Sequence, residues 1–321
     1  MRFGVGVGNM GGFGDPGGVD ACLEVAQAAE DLGFDSVWCN DHVVIPTSIE
    51  SRYPYNETGD FPAPPTIECF EPLTMMCALA EATESVEIGV SVLVIPYRHP
   101  AVTAKMLAAA DRLSGGRIVL GAGVGWMREE FEALGLSEEH YRRRGAVTNE
   151  FLRAMKEMWT NTGPSSFHGN YVAFDQVGAY PKPTQREDGS SIPIVIGGNG
   201  INAWRRASRW GDGFHAAFQS PENLAAEVEG LHAACRRDRR DPDELEISML
   251  SAIQLTDTSR DEDGRALLSG SPEQVAGDLL QFGKVGLEHL VGTPTLRGET
   301  QLERVLKGME FMSAELLPAF Q

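Results

Sequence analysis

Positive charge is what this sequence is shortest of. Its 321 residues carry 27 lysines and arginines against 46 aspartates and glutamates, a formal net charge of −19. A protein that grips nucleic acid needs a basic face, so that partner class is excluded and a solvated acidic surface is expected. Cysteine is sparse and scattered: Cys22, Cys39, Cys69, Cys77 and Cys235 are an odd set with no CxxC spacing, read as reduced thiols. No histidine, cysteine or carboxylate cluster has metal-ligand spacing, so no metal is expected. Long apolar runs are missing as well; none reaches the roughly 18 residues of a membrane span. The opening MRFGVGVGNMGGFG is strand-like, with no signal-peptide apolar region or cleavage site. These absences together predict a cytoplasmic protein with no membrane partner.

What the chain does have is 42% hydrophobic residues, enough for a large core, arranged in alternating strand and helix signals. The clearest unit spans residues 86–127. VEIGVSVLVIP is β-branched and continuously apolar, like a strand buried on both faces. Pro100 then suits a first helical turn, Val102, Met106, Ala109 and Leu113 make an apolar stripe, and Gly115-Gly116 stops the helix. A second apolar run from Arg117 completes a βαβ unit with parallel strands. Similar signals predict helices over 19–32, 71–83, 138–160, 202–210 and 221–237, with further ones from Ser271 and over 299–317. Strands are predicted over 2–8, 35–39, 192–196, 213–217, 245–255 and 287–291, and a hairpin over 165–174. The strand count is eight, with no clean linker and no short repeat. The reading is one (β/α)8 TIM barrel over residues 1–321, with insertions after strands 2 and 4. The stretch 45–72, rich in proline, tyrosine, asparagine and glycine, is either an active-site lid or a passive excursion.

Candidate site residues fall where strands end, the end at which such barrels place ligands. Asp41-His42 follows the second strand. Histidine titrates near neutrality and passes protons, although an acid capping the next segment beside a structural histidine would leave the same spacing. Gly121-Ala-Gly-Val-Gly125, with Gly123 at its centre, allows either a flat ligand or a packed neighbour to approach the backbone. Gly197-Gly198-Asn199-Gly200 before a helix is a sound phosphate cradle, or a tight turn. Trp126 walls an apolar pocket or fills core, and His215 ends a strand near the same place.

The phrase YRHPAVTAKMLAAADRLSGGRIVLGAGVGWMREEF resembles the luciferase-like monooxygenase superfamily, and within it the oxidoreductases that use the deazaflavin coenzyme F-420. The resemblance implies a barrel that holds F-420, with FMN as the alternative cofactor, and transfers hydride to or from a carbonyl, alcohol or activated alkene. It implies that Asp41 and His42 match an Asp-His pair whose histidine faces substrate and ring. Ser91-Val92 matches a bulge with a non-proline cis peptide behind the ring, and Gly197 to Gly200 lie where the family holds the cofactor phosphate. The F-420 tail is anionic, and Arg52, Arg98, Arg205 and Arg206 are the candidate cations for it. A homodimer is implied at the family level. Where the sugar-phosphate dehydrogenase branch has an acid-base glutamate, this chain has Trp126, with Glu129 and Glu130 one turn later. Two alternatives stand beside this reading: an FMN-dependent monooxygenase using oxygen, and a non-catalytic cofactor-binding protein.

Overall fold

The computed structural model describes residues 1–14, 18–184 and 191–320. Eight parallel strands close a barrel: β1 (Arg2–Gly6), β2 (Ser36–Cys39), β3 (Glu87–Val94), β4 (Ile118–Gly123), β5 (Ile194–Gly197), β6 (Gly213–Ala217), β7 (Glu246–Leu250) and β8 (His289–Gly292). They pair in chain order, and β8 closes on β1 in the register Arg2↔His289 to Val5↔Gly292. Around them run α1 (Val19–Asp31), α2 (Pro72–Ala82), α3 (Pro100–Leu113), α4 (Arg144–Thr160), α5 (Ile201–Trp210), α6 (Pro221–Asp238), α7 (Pro272–Lys284) and α8 (Gln301–Glu315). The architecture is therefore the expected TIM barrel.

Strand alternation divides the buried residues between two regions. Phe3, Val37, Ile88, Leu120, Ile196, Phe214 and Met249 face outward into a continuous layer beneath the helices. A smaller cluster of Trp38, Val119, Val195 and Val291 fills the lumen. The Trp38 indole needs room there: a Cβ on Gly4 would stand 2.7 Å from its Nε1, and one on Gly89 2.6 Å from its Cδ2. At the bottom of the lumen Arg2 pairs with Glu87 and, at 3.2 Å, with Glu246.

Two expected elements are divided. The helix predicted over 138–160 is a short helix, Glu138–Arg142, followed by α4, because the chain turns at Arg143 (ψ 9°). The strand predicted over 245–255 is β7 and a separate Ile253–Leu255, because the chain leaves the barrel to pair with Ser269–Gly270 and Pro294–Thr295. That small sheet carries strands of two or three residues, too short for an alternation signal. The expected loop at 11–18 and the connection at 181–193 each lie partly outside the described residues. Among the described residues no helix is long and apolar enough to cross a membrane, and all five cysteines are free thiols.

Candidate active site

The C-terminal ends of the strands meet at one mouth. His42 stands just past β2, and its Nδ1 lies 2.8 Å from Oε2 of Glu130, in the short helix Arg128–Ala133. Glu130 is fully buried, yet every contact is satisfied. Its Oε1 accepts the amides of Val43 (2.7 Å) and Val44 (3.2 Å), and its Oε2 also accepts the Tyr97 hydroxyl (2.9 Å). Burial, followed by the charge of Glu130, raises the Tyr97 phenol far above its ordinary range, so it remains a donor. The sequence marks Glu130 only as an acid near Trp126, and a separation of 88 positions from His42 hides the pairing.

Asp41, expected at the cofactor, pairs with Arg98 past the end of β3. Its buried carboxylate accepts two bonds from Arg98, each 2.8 Å, and one from the Val94 amide, also 2.8 Å. Burial raises the carboxyl above its ordinary value, with the Arg98 contacts pulling the other way. The pair ties the end of β2 to the end of β3, which makes Asp41 a brace for His42.

Between Val90 and Leu93 the register of β3 slips against β4, so Ser91 and Val92 form a bulge, and the peptide between them is cis. Val92 points at the neighbouring strands. A Cβ on Gly197 would stand 2.5 Å from its Cγ1, and one on Gly123 would collide with its Cγ2. These two glycines, expected to admit a ligand, make room for Val92. Ser91 Oγ is 2.8 Å from Nε2 of His215, whose Nδ1 is 2.8 Å from Ser248 Oγ. His215, expected in the pocket, lies in the lumen beneath the bulge: it is 2% exposed, stacks on Trp38 at 5.3 Å, and burial lowers its pKa to about 3. It is neutral and holds Ser91 from beneath.

The stretch 40–71 crosses the mouth and contains no helix or strand. Both its ends are fastened to one buried residue that sequence reading missed, Asn9. The Asn9 side chain donates to the carbonyls of Asn40 and Phe70, each 2.8 Å, and accepts the Asn40 amide at 2.7 Å. Glu129 accepts the amides of Glu50 and Ser51, each 3.1 Å, so adjacent glutamates grip two turns of the same loop. Its aromatic rings form a chain: Phe61 lies 5.1 Å from the His42 ring and 5.6 Å from Trp126, Tyr53 lies 5.3 Å from Trp126, and Tyr55 lies 5.5 Å from Phe218 beyond β6. Trp126 thus belongs to the aromatic cover over His42.

At β5 the loop runs into α5, which has no side-chain cap. Gly198 (φ 111°) and Gly200 (φ 81°) adopt the left-handed region that favours glycine. The first-turn amides of α5 have no intrahelical acceptor and lie at the positive end of the helix dipole. Asn199 sits at this turn. One donor is already engaged: Glu227 Oε2 accepts the Gly200 amide (2.8 Å) and the Trp204 indole N–H (2.6 Å). Of the four arginines considered for an anionic tail, Arg98 is spent on Asp41 and Glu71. Arg206 is buried against Asn149 Oδ1 (2.7 Å), Arg52 donates to the Glu57 carbonyl, and Arg205 is exposed. Arg144, beside the mouth on the Gly125 carbonyl (2.9 Å), has no carboxylate partner among the described residues.

A closed parallel barrel whose strand ends converge on an oriented histidine beneath an aromatic cover is the scaffold of a (β/α)8 enzyme. The chain belongs to the luciferase-like monooxygenase family, whose profile matches residues 1–263. It is 32% identical over 268 residues to an F420-dependent glucose-6-phosphate dehydrogenase of Nakamurella multipartita, covering 81% of this chain and 72% of that one. The same-named enzyme of Amycolatopsis mediterranei is 33% identical over 193 residues, covering 60% and 51%. An FMNH(2)-dependent dimethylsulfone monooxygenase of Pseudomonas putida is 33% identical over 216 residues, covering 64% and 56%. The chain thus spans about half the length of the latter two. In solved structures, an F420-dependent secondary alcohol dehydrogenase superposes with TM-score 0.76 at 20% identity, over 100% of this chain and 99% of that one. A monooxygenase from Streptomyces bottropensis gives 0.78 at 19%, over 100% of both. At those identities the likeness is one of fold.

Proposed function

We propose that this protein is an F420-dependent oxidoreductase acting on a small, uncharged, largely apolar alcohol, carbonyl or activated alkene. The observation that carries this is His42: one ring nitrogen is held by Glu130 and the other has no hydrogen bond among the described residues, at the mouth beneath an aromatic lid. The residues present fit the cofactor. The Ser91–Val92 bulge offers a surface for a flat ring, supported by His215, and the uncapped start of α5 at Gly198 to Gly200 offers amides for a phosphate. When bound, the deazaflavin supplies a two-electron centre that gives or takes hydride. His42 takes the hydroxyl proton as an alcohol becomes a carbonyl and returns it in the reverse direction. Asp41 and Arg98 keep the end of β2 in place while it does so, and Phe61, Tyr53 and Trp126 exclude water.

The substrate class follows from the lid. Residues 43–71 carry five carboxylates (Glu50, Glu57, Asp60, Glu68, Glu71) against one arginine, Arg52. Such a cover repels anions, and its inner rings are apolar, so a sugar phosphate is a poor fit despite the named relatives. Titrating the purified protein with F420 and with FMN tests the proposal. F420 is expected to bind more tightly, to weaken as salt screens the contacts to its anionic tail, and to support turnover of an apolar secondary alcohol. Stoichiometric FMN with no measurable F420 binding would overturn the choice in favour of the FMN-dependent reading that the Pseudomonas putida relative represents. F420 binding without turnover of any neutral alcohol, carbonyl or alkene would favour a binding protein.

A further inference from the structure

We propose that Glu130 is the positioning residue that fixes the tautomer of His42, holding the ring proton on Nδ1 and leaving the lone pair on Nε2. This rests on the assignment of His42 as the group that handles the substrate proton. The donors around Glu130 settle the direction of each bond. The amides of Val43 and Val44 can only donate, and both point at Oε1 (2.7 and 3.2 Å). The Tyr97 hydroxyl donates to Oε2 at 2.9 Å. Both oxygens of the Glu130 carboxylate therefore serve as acceptors, and a carboxylate never donates. The remaining neighbour of Oε2 is His42 Nδ1 at 2.8 Å, and it too must donate. The neutral ring therefore carries its proton on Nδ1.

The other charged and titratable groups nearby do not compete for this role. The Asp41 carboxylate is turned to Arg98 and Val94, Glu71 is turned to Arg98, and the Cys69 thiol donates to the His42 carbonyl at 3.3 Å. Phe61, against the ring, has no polar atom. Because Nδ1 is committed, the proton leaving a substrate hydroxyl can go only to Nε2. The imidazolium so formed keeps a carboxylate at hydrogen-bond distance. The same carboxylate holds the turn at residues 43 and 44, so the ring and the root of the lid share one anchor.

Glu130→Gln discriminates this from a merely structural role. The amide oxygen can still serve Val43 and Val44, but the NH2 group replacing Oε2 can only donate. It would donate to Nδ1 and move the ring proton to Nε2, leaving no lone pair for the substrate. Long-range 1H–15N correlation spectra of the intact protein, with His42 assigned by comparison with His42→Ala, read the tautomer without cofactor or substrate. The wild type is expected to be the Nδ1–H form, E130Q to convert to Nε2–H, and E130D and Tyr97→Phe to remain Nδ1–H. Turnover in E130Q should fall roughly 10²-fold or more with KM nearly unchanged, and E130D should recover part of it. An Nε2–H ring in the wild type would overturn the proposal, with no variant needed. An unchanged tautomer in E130Q would do the same. An Nδ1–H wild type that turns over nothing with F420 would instead count against the proposed function and leave the tautomer assignment intact.

Discussion

Gly197→Ala adds a single methyl group at the end of β5, and the structure says what it meets. The new carbon would stand 2.5 Å from Val92 Cγ1 and 3.4 Å from its Cβ and Cγ2. Comfortable carbon contacts lie at about 3.5–4.0 Å, so the nearest approach is short by about 1 Å. Val92 cannot swing aside, because its other methyl already fills the place of a Cβ on Gly123. Overpacking of this kind costs about 1–3 kcal/mol, and a wedged side chain with no retreat belongs in the upper half of that range. Urea denaturation of the variant should show the loss as a lower midpoint with an unchanged slope. Val92→Ala removes both γ-carbons of a half-buried side chain and should cost about 1 kcal/mol on its own. In the double variant the methyl on residue 197 enters the vacated space, so the two changes should cost about 1–3 kcal/mol less than their sum. If Gly197→Ala alone stays within about 0.5 kcal/mol of wild type, or the pair is additive, Val92 is not the reason for the glycine.

His42→Ala should leave fold and F420 affinity nearly intact while lowering turnover roughly 10²-fold or more; near wild-type rates across the pH range would remove His42 from the chemistry. Glu30 gives a pH test of stability. Burial alone would raise its carboxyl, but the Ser85 hydroxyl and the amides of Glu84, Ser85 and Val86 outweigh it and hold the pKa at about 2. A carboxyl depressed on folding stabilises above its unfolded pKa, and that gain is lost as pH falls toward its folded pKa. Glu30→Gln should therefore be less stable than wild type near neutral pH, with the gap closing between about pH 4.5 and 2. A gap that does not change with pH, followed by thermal melting, would refute this.

The barrel was legible in the sequence because its strands are apolar, bounded by glycine and proline, and separated by capped amphipathic helices such as α3, with Pro100 in its first turn. His42 was legible because it follows a strand directly. The rest of the site lay in pairings between distant segments. Glu130 is 88 residues from His42, and Asn9 lies 31 and 61 residues from its two partners, so no local period records either. A weak signal existed in Glu129-Glu130, two acids opening a helix just past a strand end. His215 sits lower than its place in the strand suggests, because alternation sends its side chain into the lumen with Ser248. Gly123 and Gly197 were visible as close approaches, but what approached them, Val92, depends on a bulge that no sequence period announces.

The fastening at Asn9 bears on how this protein could change over evolutionary time. One buried side chain holds the carbonyls at residues 40 and 70, so the intervening segment leaves the barrel and returns to it at a single point. Closing a longer loop across fixed ends is inexpensive, about 0.6 kcal/mol for each doubling in length. The segment is therefore an exchangeable cassette: its length, charge and rings can drift while the eight strands and the start of the loop keep their places. Descendants of such a chain could acquire a new diet of substrates by rewriting some thirty residues, provided that Asn9, Glu129 and Glu130 continue to hold what is written there.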